Sequence, residues 1–134
     1  MKRKGLGGGL TALVLGHFAI TIAHGAAHGG AGVALGPAGI AFVIAVIEVA
    51  PLAGLALAWF RPQTGAWLIA ASMAGAFLFG FINHFIIVSP DHVSQVAPAY
   101  RLSFGTTAVL LAVTEAAAAF VGLRAATRTV EVWS

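Results

Sequence analysis

The chain has 134 residues, of which 60% are apolar and only 8% are charged, so it cannot cover a water-facing surface with polar side chains. This composition excludes an ordinary soluble fold and indicates a single domain in a lipid bilayer. The sequence contains no cysteine, which excludes disulfides, thiolate metal sites and thiol redox chemistry. The net charge is +3, but the basic residues are scattered, which argues against a nucleic-acid partner.

Four apolar segments are each long enough for the ~20 residues that a bilayer core requires. We place the membrane spans near Leu6–Ala26, Pro37–Trp59, Ala66–Val88 and Leu102–Leu123. The segments between them carry glycine, proline or charged residues, which is typical of loops. The sequence therefore predicts an all-α, polytopic membrane protein whose four transmembrane helices form one bundle.

The first predicted span carries a stripe of polar side chains. His17, His24 and His28 are spaced seven and four residues apart, with Thr21 between, which places all four on one face of an α-helix. His24 and His28 can therefore ligate one metal ion from adjacent turns. Because the segment 23–30 is poor in large side chains, the alternative is that the helix frays and leaves these histidines in a loop.

Two acidic residues lie inside the predicted spans, Glu48 in the second and Glu115 in the fourth. Carboxylates at this depth usually face the bundle interior or a water-filled cavity. From the helical rise we expect a His17–Glu48 hydrogen bond and a looser His84–Glu115 contact. Such pairs either fix helix register, carry protons or ions, or ligate a metal. We group Asn83 with these intramembrane polar residues.

A second polar group follows at the end of the third predicted span. His84 lies about one turn inside the boundary, and Asp91 and His92 follow in the next loop, after Pro90 ends the helix. The alternative for Asp91 is a turn acid paired with Arg101. If the first and third helices adjoin, one metal or haem site can form on this side of the membrane from His24, His28, His84, Asp91 and His92.

Two kinds of cofactor suit these residues. A divalent transition metal such as zinc, iron, manganese or copper(II) accepts nitrogen and oxygen ligands. The other is a b-type haem held by His24 and His84, with room left by Gly25, Gly75 and Gly80, although glycine also serves close helix packing. Axial haem ligands lie roughly 4 Å apart across the iron, whereas ligands of a tetrahedral metal lie closer together.

The distribution of basic residues predicts the orientation. Six of the seven basic residues lie in or beside the segments 1–5, 60–65 and 124–134, and the seventh lies in the segment 89–101. The positive-inside rule then places both termini in the cytoplasm, and the segments 28–36 and 89–101 outside the cell membrane. A cleaved signal peptide is the less favoured alternative, because four retained helices make a better bundle than three.

Two pairs of segments suggest an internal repeat. "GHFAI" at 16–20 resembles "NHFII" at 83–87, and "AVIEVA" at 45–50 resembles "AVTEAA" at 112–117, at the same offset of half the chain. This pattern predicts two duplicated helical hairpins related by a pseudo-two-fold axis along the membrane normal. The alternative is a chance match between alanine-rich helices.

The sequence favours an integral membrane protein that binds haem or a transition metal and has an electron-transfer or redox role toward a lipophilic partner such as a quinone. One alternative is a small proton or ion transporter that uses Glu48, Glu115, His17 and His84. Another is a structural subunit that docks its small-residue faces in a homo-oligomer or a larger membrane complex. Whether the protein is an enzyme stays open at the level of sequence.

Overall fold

The computed structural model describes residues 6–128, and this part of the chain forms four long helices. They are α1 (Gly8–Ala31), α2 (Pro37–Ala58), α3 (Pro62–Ile86) and α4 (Pro98–Arg128). Each is long and apolar enough to cross a membrane. The predicted all-α bundle of four membrane helices is confirmed, and the chain has the architecture of a multi-pass membrane protein.

The ends of the helices follow local chemistry. Helices α2, α3 and α4 begin at Pro37, Pro62 and Pro98. Proline is favoured there because the N–H groups of the first helical turn have no acceptor within the helix, so the N–H that proline lacks is not needed. Helix α1 ends at Gly32, which has a positive φ of 68° and caps the helix through its N–H and that of Val33. The frayed alternative for this segment is therefore wrong, because α1 stays regular well past the predicted end.

The last turns of α1 are held by α4 and the loop before it. Ala27 packs in a buried cluster with Val96 and Phe104. The ring of Tyr100 lies against Gly30, where an added Cβ would be 2.7 Å from Tyr100 Cε1. Small residues thus extend this helix because they allow close packing, which composition alone does not reveal.

Helix α4 is the centre of the bundle, since α1 and α3 both pack along it while α2 packs mainly on α3. The loops 32–36 and 87–97 lie at one end, which we call the loop end. The turn at 59–61, the start of α1 and the end of α4 lie at the other, which we call the terminal end. An apolar core occupies the half toward the terminal end. It consists of Leu10, Val14, Ile69, Met73 and Ala118.

Helices α2 and α3 cross with their backbones in contact near the terminal end. A Cβ at Gly65 would lie 2.5 Å from the carbonyl oxygen of Gly54 and 2.6 Å from the amide nitrogen of Ala58. Such small-residue contacts are a common way for membrane helices to associate. This crossing anchors α2, which has few other close neighbours among the described residues.

Two helices contain a π-helical turn toward the loop end. In α2 it spans Val43–Val49 and includes Glu48, and in α3 it spans Ile82–Ile86 and includes His84. The π turn in α2 is followed by Pro51. Because proline has no N–H to donate to the carbonyl four residues earlier, it interrupts the regular pattern of α-helical hydrogen bonds. Single π turns are frequent at functional sites because they redirect side chains.

The structure gives the proposed duplication no support. The repeat would equate Glu48 with Glu115 and His84 with His17. The first member of each pair lies in a π turn, whereas Glu115 and His17 lie in regular α-helix. The side chains also have different partners, as described below, so the matching sequence segments do not adopt matching environments.

Three of the six basic residues predicted on the cytoplasmic side, Lys2, Arg3 and Lys4, lie outside the described residues, as does the segment 129–134. Arg61, Arg124 and Arg128 do fall within the described part and lie at the terminal end. The assignment of that end to the cytoplasm stays a prediction.

Candidate functional site

Helices α1 and α3 bring three histidines together near the loop end. His24, His28 and His84 each offer a ring nitrogen, and these three atoms lie within 4.8 Å of one another. His24 and His84 are both 6% exposed, and His28 is half-buried. The Nε2 atoms of His24 and His84 are 3.2 Å apart. We call these three residues the histidine cluster.

A phenylalanine on α4 closes one side of the histidine cluster. Phe104 is fully buried, and its ring centroid lies 4.8 Å from those of His24 and His28 and 5.3 Å from that of His84. The aromatic ring holds the three imidazoles in place and excludes water from this side.

The other ring nitrogen of His24 is held by α4. His24 Nδ1 lies 2.8 Å from Thr107 Oγ1, and the Thr107 hydroxyl is 2.8 Å from the carbonyl oxygen of Ser103. The Thr107 hydroxyl has one hydrogen, which it donates either to that carbonyl or to His24 Nδ1, so both tautomers of His24 are satisfied here. With a metal ion on His24 Nε2, Nδ1 would carry the hydrogen and donate it to Thr107 Oγ1.

The other two imidazoles are held by backbone carbonyls. His84 Nδ1 donates to the carbonyl oxygen of Asp91 at 3.0 Å, and His28 Nδ1 donates to that of Val33 at 3.2 Å. Carbonyls only accept, so both Nδ1 atoms carry the hydrogen and both Nε2 atoms are unprotonated in the neutral rings. Metal-ligating histidines are oriented in the same way, with the second nitrogen donating to an acceptor.

The Nε2 atoms of His24 and His84 lie 3.2 Å apart, which is hydrogen-bond distance. Because His84 Nδ1 donates to a carbonyl, His84 Nε2 is an acceptor in the neutral ring, and it accepts His24 Nε2–H when Thr107 donates to His24 Nδ1. A metal ion bound by both Nε2 atoms would replace this hydrogen. Two nitrogens bound to zinc at about 2.0–2.1 Å lie about 3.3 Å apart in tetrahedral geometry. The observed separation therefore suits a single metal ion as well as a hydrogen bond.

The same separation does not fit a haem between His24 and His84. Axial nitrogens lie on opposite faces of the porphyrin, roughly 4 Å apart with the iron between them. At 3.2 Å the two Nε2 atoms leave no room for a macrocycle. The haem hypothesis drawn from the sequence is therefore not supported by the side-chain geometry.

Asp91 adds a buried carboxylate beside the histidine cluster. It is 7% exposed, and its Oδ1 is buried without a hydrogen-bond donor among residues 6–128. This oxygen lies 3.3 Å from His28 Nε2 and 3.4 Å from His84 Nδ1. Arg101, the expected partner, instead donates to the carbonyl oxygens of Val96 and Ser94. The carboxylate thus remains available to a cation held by the histidines.

The remaining predicted site residues lie outside the histidine cluster. His92 Nδ1 accepts the backbone N–H of Ser94 at 3.1 Å, which stabilises the loop. Asn83 donates to the carbonyl oxygen of Phe79 within its own helix at 2.8 Å. The structure therefore brings His24, His28, His84 and Asp91 together and leaves His92 in a turn.

The intramembrane carboxylates do not have the partners expected from the sequence. His17 Nε2 pairs with Glu115 Oε1 at 3.1 Å, and the two residues are 1% and 2% exposed. The predicted His17–Glu48 hydrogen bond is therefore wrong, and the predicted looser contact between His84 and Glu115 is neither a hydrogen bond nor an ion pair among the described residues. The physical reason is that α1 packs along α4 and approaches α2 closely mainly over Ala50–Ala58.

A cavity of about 230 Å³ extends from the histidine cluster into the membrane-spanning part of the bundle. Its walls are mostly apolar, and both intramembrane glutamates border it. Glu48 makes no hydrogen bond or ion pair to any of the described residues, although it is half-buried. The lining residues that matter here are Thr21, Ile47, Glu48, Phe79, Leu111 and Glu115.

Sequence reasoning missed the contribution of α4. Thr107 is one of several hydroxyl residues in an apolar helix, so its role depends on knowing which face meets α1. Phe104 carries no sequence signal beyond hydrophobicity. The histidines themselves were accessible from their helical spacing.

The chain has no match among protein-family models, curated proteins or solved structures.

Proposed function

We propose that this membrane protein binds a divalent transition-metal ion through His24, His28 and His84, with Asp91 as the neighbouring carboxylate. The observation that carries the proposal is the convergence of three imidazoles whose ring nitrogens lie within 4.8 Å of one another, with Nδ1 of His28 and of His84 donating to backbone carbonyls. In some catalytic zinc sites the ion is held by three imidazoles, and its fourth coordination position stays open for water or substrate. Iron and copper(II) also accept these ligands.

The energetics of the membrane interior support this proposal. Burying a polar group without a hydrogen-bond partner costs free energy, and at this depth in the membrane no water is present to act as that partner. A divalent cation would bind the Nε2 atoms of His24 and His84 together beside Asp91 Oδ1, a buried oxygen that accepts no hydrogen bond from the described residues. Ionisable residues within membrane spans are for this reason usually functional.

The surroundings of the histidine cluster favour a lipophilic partner. The cluster borders a mostly apolar cavity at the depth of the spans. A bound iron or copper ion would supply one-electron redox chemistry there, whereas zinc would supply Lewis acidity. The chain's own residues hold the ion, orient the imidazoles through Thr107 and the Asp91 carbonyl, and exclude water through Phe104. We infer a redox role toward a quinone-like molecule.

A proton or ion transporter is less well supported by this structure. The polar side chains form a column from Asp91 at the loop end down to the His17–Glu115 pair. Below that pair, the apolar core around Val14 and Met73 fills the bundle toward the terminal end. The polar column is thus a pocket reached from the loop end or from the side, which suits binding better than conduction.

We also propose that the loop end faces outward across the cell membrane. Arg61, Arg124 and Arg128 lie at the terminal end, and Arg101 lies at the loop end. An excess of basic residues normally marks the cytoplasmic side. The metal site would then lie in the outer half of the bilayer.

Elemental analysis of the purified protein after loading and desalting tests the proposal. The expected result is one equivalent of bound metal in the wild type and loss of that metal in His24→Ala and His84→Ala. His92→Ala is the matched control, because His92 lies near the site but bonds only within its loop. A wild type without bound metal, or equal loss in the His92 variant, would contradict the proposal.

A further inference from the structure

The cavity reaches the lipid-facing surface between α1 and α2. Within the described chain, these helices approach closely mainly over Ala50–Ala58, toward the terminal end, while Val43–Val49 packs against α3. Gly25 on α1 and Ile40 on α2 both border the cavity, and both are exposed, Ile40 by 48%. A residue that borders the cavity and is also exposed at this depth marks a side opening toward the acyl chains.

Glu48 lies beside this opening on the π turn of α2. Its carboxylate has no hydrogen-bond or ion-pair partner within residues 6–128, in contrast with Glu115, whose Oε1 is bonded to His17. A carboxylate at this depth is costly unless something else binds to it. Because the fold supplies no donor, the most direct explanation is that a ligand in the cavity does.

The rest of the cavity restricts the chemistry of that ligand. The walls are apolar and aromatic, with Val43, Ile47 and Phe79 among them, so most of the ligand must be apolar. The histidine cluster borders the same cavity. An ammonium group would suit Glu48 but would be repelled by a metal cation. A phenolic hydroxyl suits both, because it donates a hydrogen to the carboxylate and keeps lone pairs on oxygen.

We propose that a lipophilic phenol, such as a hydroquinone with an alkyl tail, reaches the cavity from the bilayer between α1 and α2 and donates its hydroxyl to Glu48. The inference deepens the proposed function and rests on it for the metal that borders the ligand. The hydrogen bond to Glu48 and the lateral opening stand on the residues of the chain alone.

Binding of two probes to the purified, metal-loaded protein tests this inference. The probes are 4-octylphenol and octylbenzene, which differ only in the hydroxyl. We expect the wild type to bind the phenol up to about tenfold more tightly, since one net hydrogen bond contributes up to about that much. In Glu48→Leu the two affinities should become equal. This variant should fold, because Glu48 has no partner to lose among the described residues.

A second pair of variants tests the lateral opening. A Cβ at Gly25 or at Gly29 meets none of the described atoms within 4 Å, so leucine fits the backbone at both positions. Gly25 borders the cavity, whereas Gly29 is not among its lining residues. Gly25→Leu should weaken binding of both probes by about tenfold or more, through loss of buried apolar contact. Gly29→Leu should bind as the wild type does.

Different outcomes separate this inference from the proposed function. A phenol preference that persists in Glu48→Leu, or equal binding by the Gly25 and Gly29 variants, overturns the inference. Metal content is measured on every sample and reports on the proposed function by itself. A protein that lacks metal but shows Glu48-dependent phenol binding contradicts the metal proposal and supports the ligand site.

Discussion

The Nε2 atoms of His24 and His84 lie 3.2 Å apart, and His84 Nδ1 donates to the carbonyl oxygen of Asp91. In the neutral ring His84 Nε2 is therefore an acceptor, which binds either the Nε2–H of His24 or a metal ion shared by both rings. The pair connects α1 to α3 across the bundle, so whatever binds there also couples the two helices.

The hydrogen bond from His24 to Thr107 should tune metal affinity. Thr107→Val keeps the shape of the side chain but removes the hydroxyl bonded to His24 Nδ1, which would accept Nδ1–H when a metal ion is bound at Nε2. Loss of such an outer contact typically weakens metal binding by about 10–100-fold. Competition with a chromophoric chelator measures the change. Thr106→Val is the control, because Thr106 is an exposed neighbour on the same helix, and an equal effect there would contradict the assignment.

Metal binding should weaken as the pH is lowered from about 7.5 to about 5.5, where imidazoles gain protons. Each proton that binds to an Nε2 atom removes one ligand, so the metal-free protein takes up more protons than the loaded one. Affinity therefore falls with falling pH. Competition with a chelator across this pH range measures whether the metal affinity falls as the pH falls. An affinity that is independent of pH would be inconsistent with histidine ligands.

The two intramembrane glutamates should differ in their effect on stability. Glu115→Leu removes the buried partner of His17, which should cost about 1–3 kcal/mol in the free energy of unfolding. Glu115→Gln keeps a hydrogen-bonding group and should cost less. Glu48→Leu should leave stability unchanged or raise it, because the carboxylate has no partner among the described residues. Thermal unfolding in detergent measures the stability of each variant. A Glu48→Leu protein that is less stable than Glu115→Leu would refute the pairing of His17 with Glu115.

The crossing of α2 and α3 should not tolerate a methyl group at Gly65. The added Cβ would lie 2.5 Å from the carbonyl oxygen of Gly54, a backbone atom that cannot rotate away. Gly65→Ala should lower the free energy of unfolding by about 1–3 kcal/mol through overpacking. Gly16→Ala is the matched control in a membrane helix, since its Cβ meets none of the described atoms within 4 Å. Similar unfolding temperatures for both variants would count against this crossing.

Orientation can be tested with single cysteines, because the natural sequence has none. Phe60 is 78% exposed in the turn at the terminal end, and Ser94 is exposed in the loop at the other end. An impermeant thiol reagent added to intact cells should label Ser94→Cys and spare Phe60→Cys. Labelling of position 60 alone would reverse the proposed topology.

The sequence was sufficient for the helices and for part of the histidine cluster. Long apolar segments predicted four spans, and the helical period placed His24 and His28 on one face. His84 was then added to the predicted site because its predicted depth in the membrane is similar to that of His24. All three inferences use only distance along a helix, which the sequence specifies directly.

The partners across helices were not accessible in the same way. Depth along the helices paired His17 with Glu48, whereas the structure shows that Glu115 is the partner because α4 lies beside α1. The acceptor Thr107 and the packing of Phe104 depend on the same helix arrangement. The rotation of each helix about its axis and the choice of its neighbours depend on close packing of small residues, such as Gly54 against Gly65. Because the apolar residues are spread evenly around each helix, the sequence pattern does not reveal this packing.

X-ray absorption spectroscopy of the zinc-loaded protein tests the central claim most directly, since it reports the atoms bound to the ion. The metal site predicts three imidazole nitrogens at about 2.0–2.1 Å, with one further oxygen from the Asp91 carboxylate or water. His84→Ala should remove one imidazole from this set or abolish binding. A first shell made of oxygen atoms alone, without imidazole scattering, would contradict the metal site.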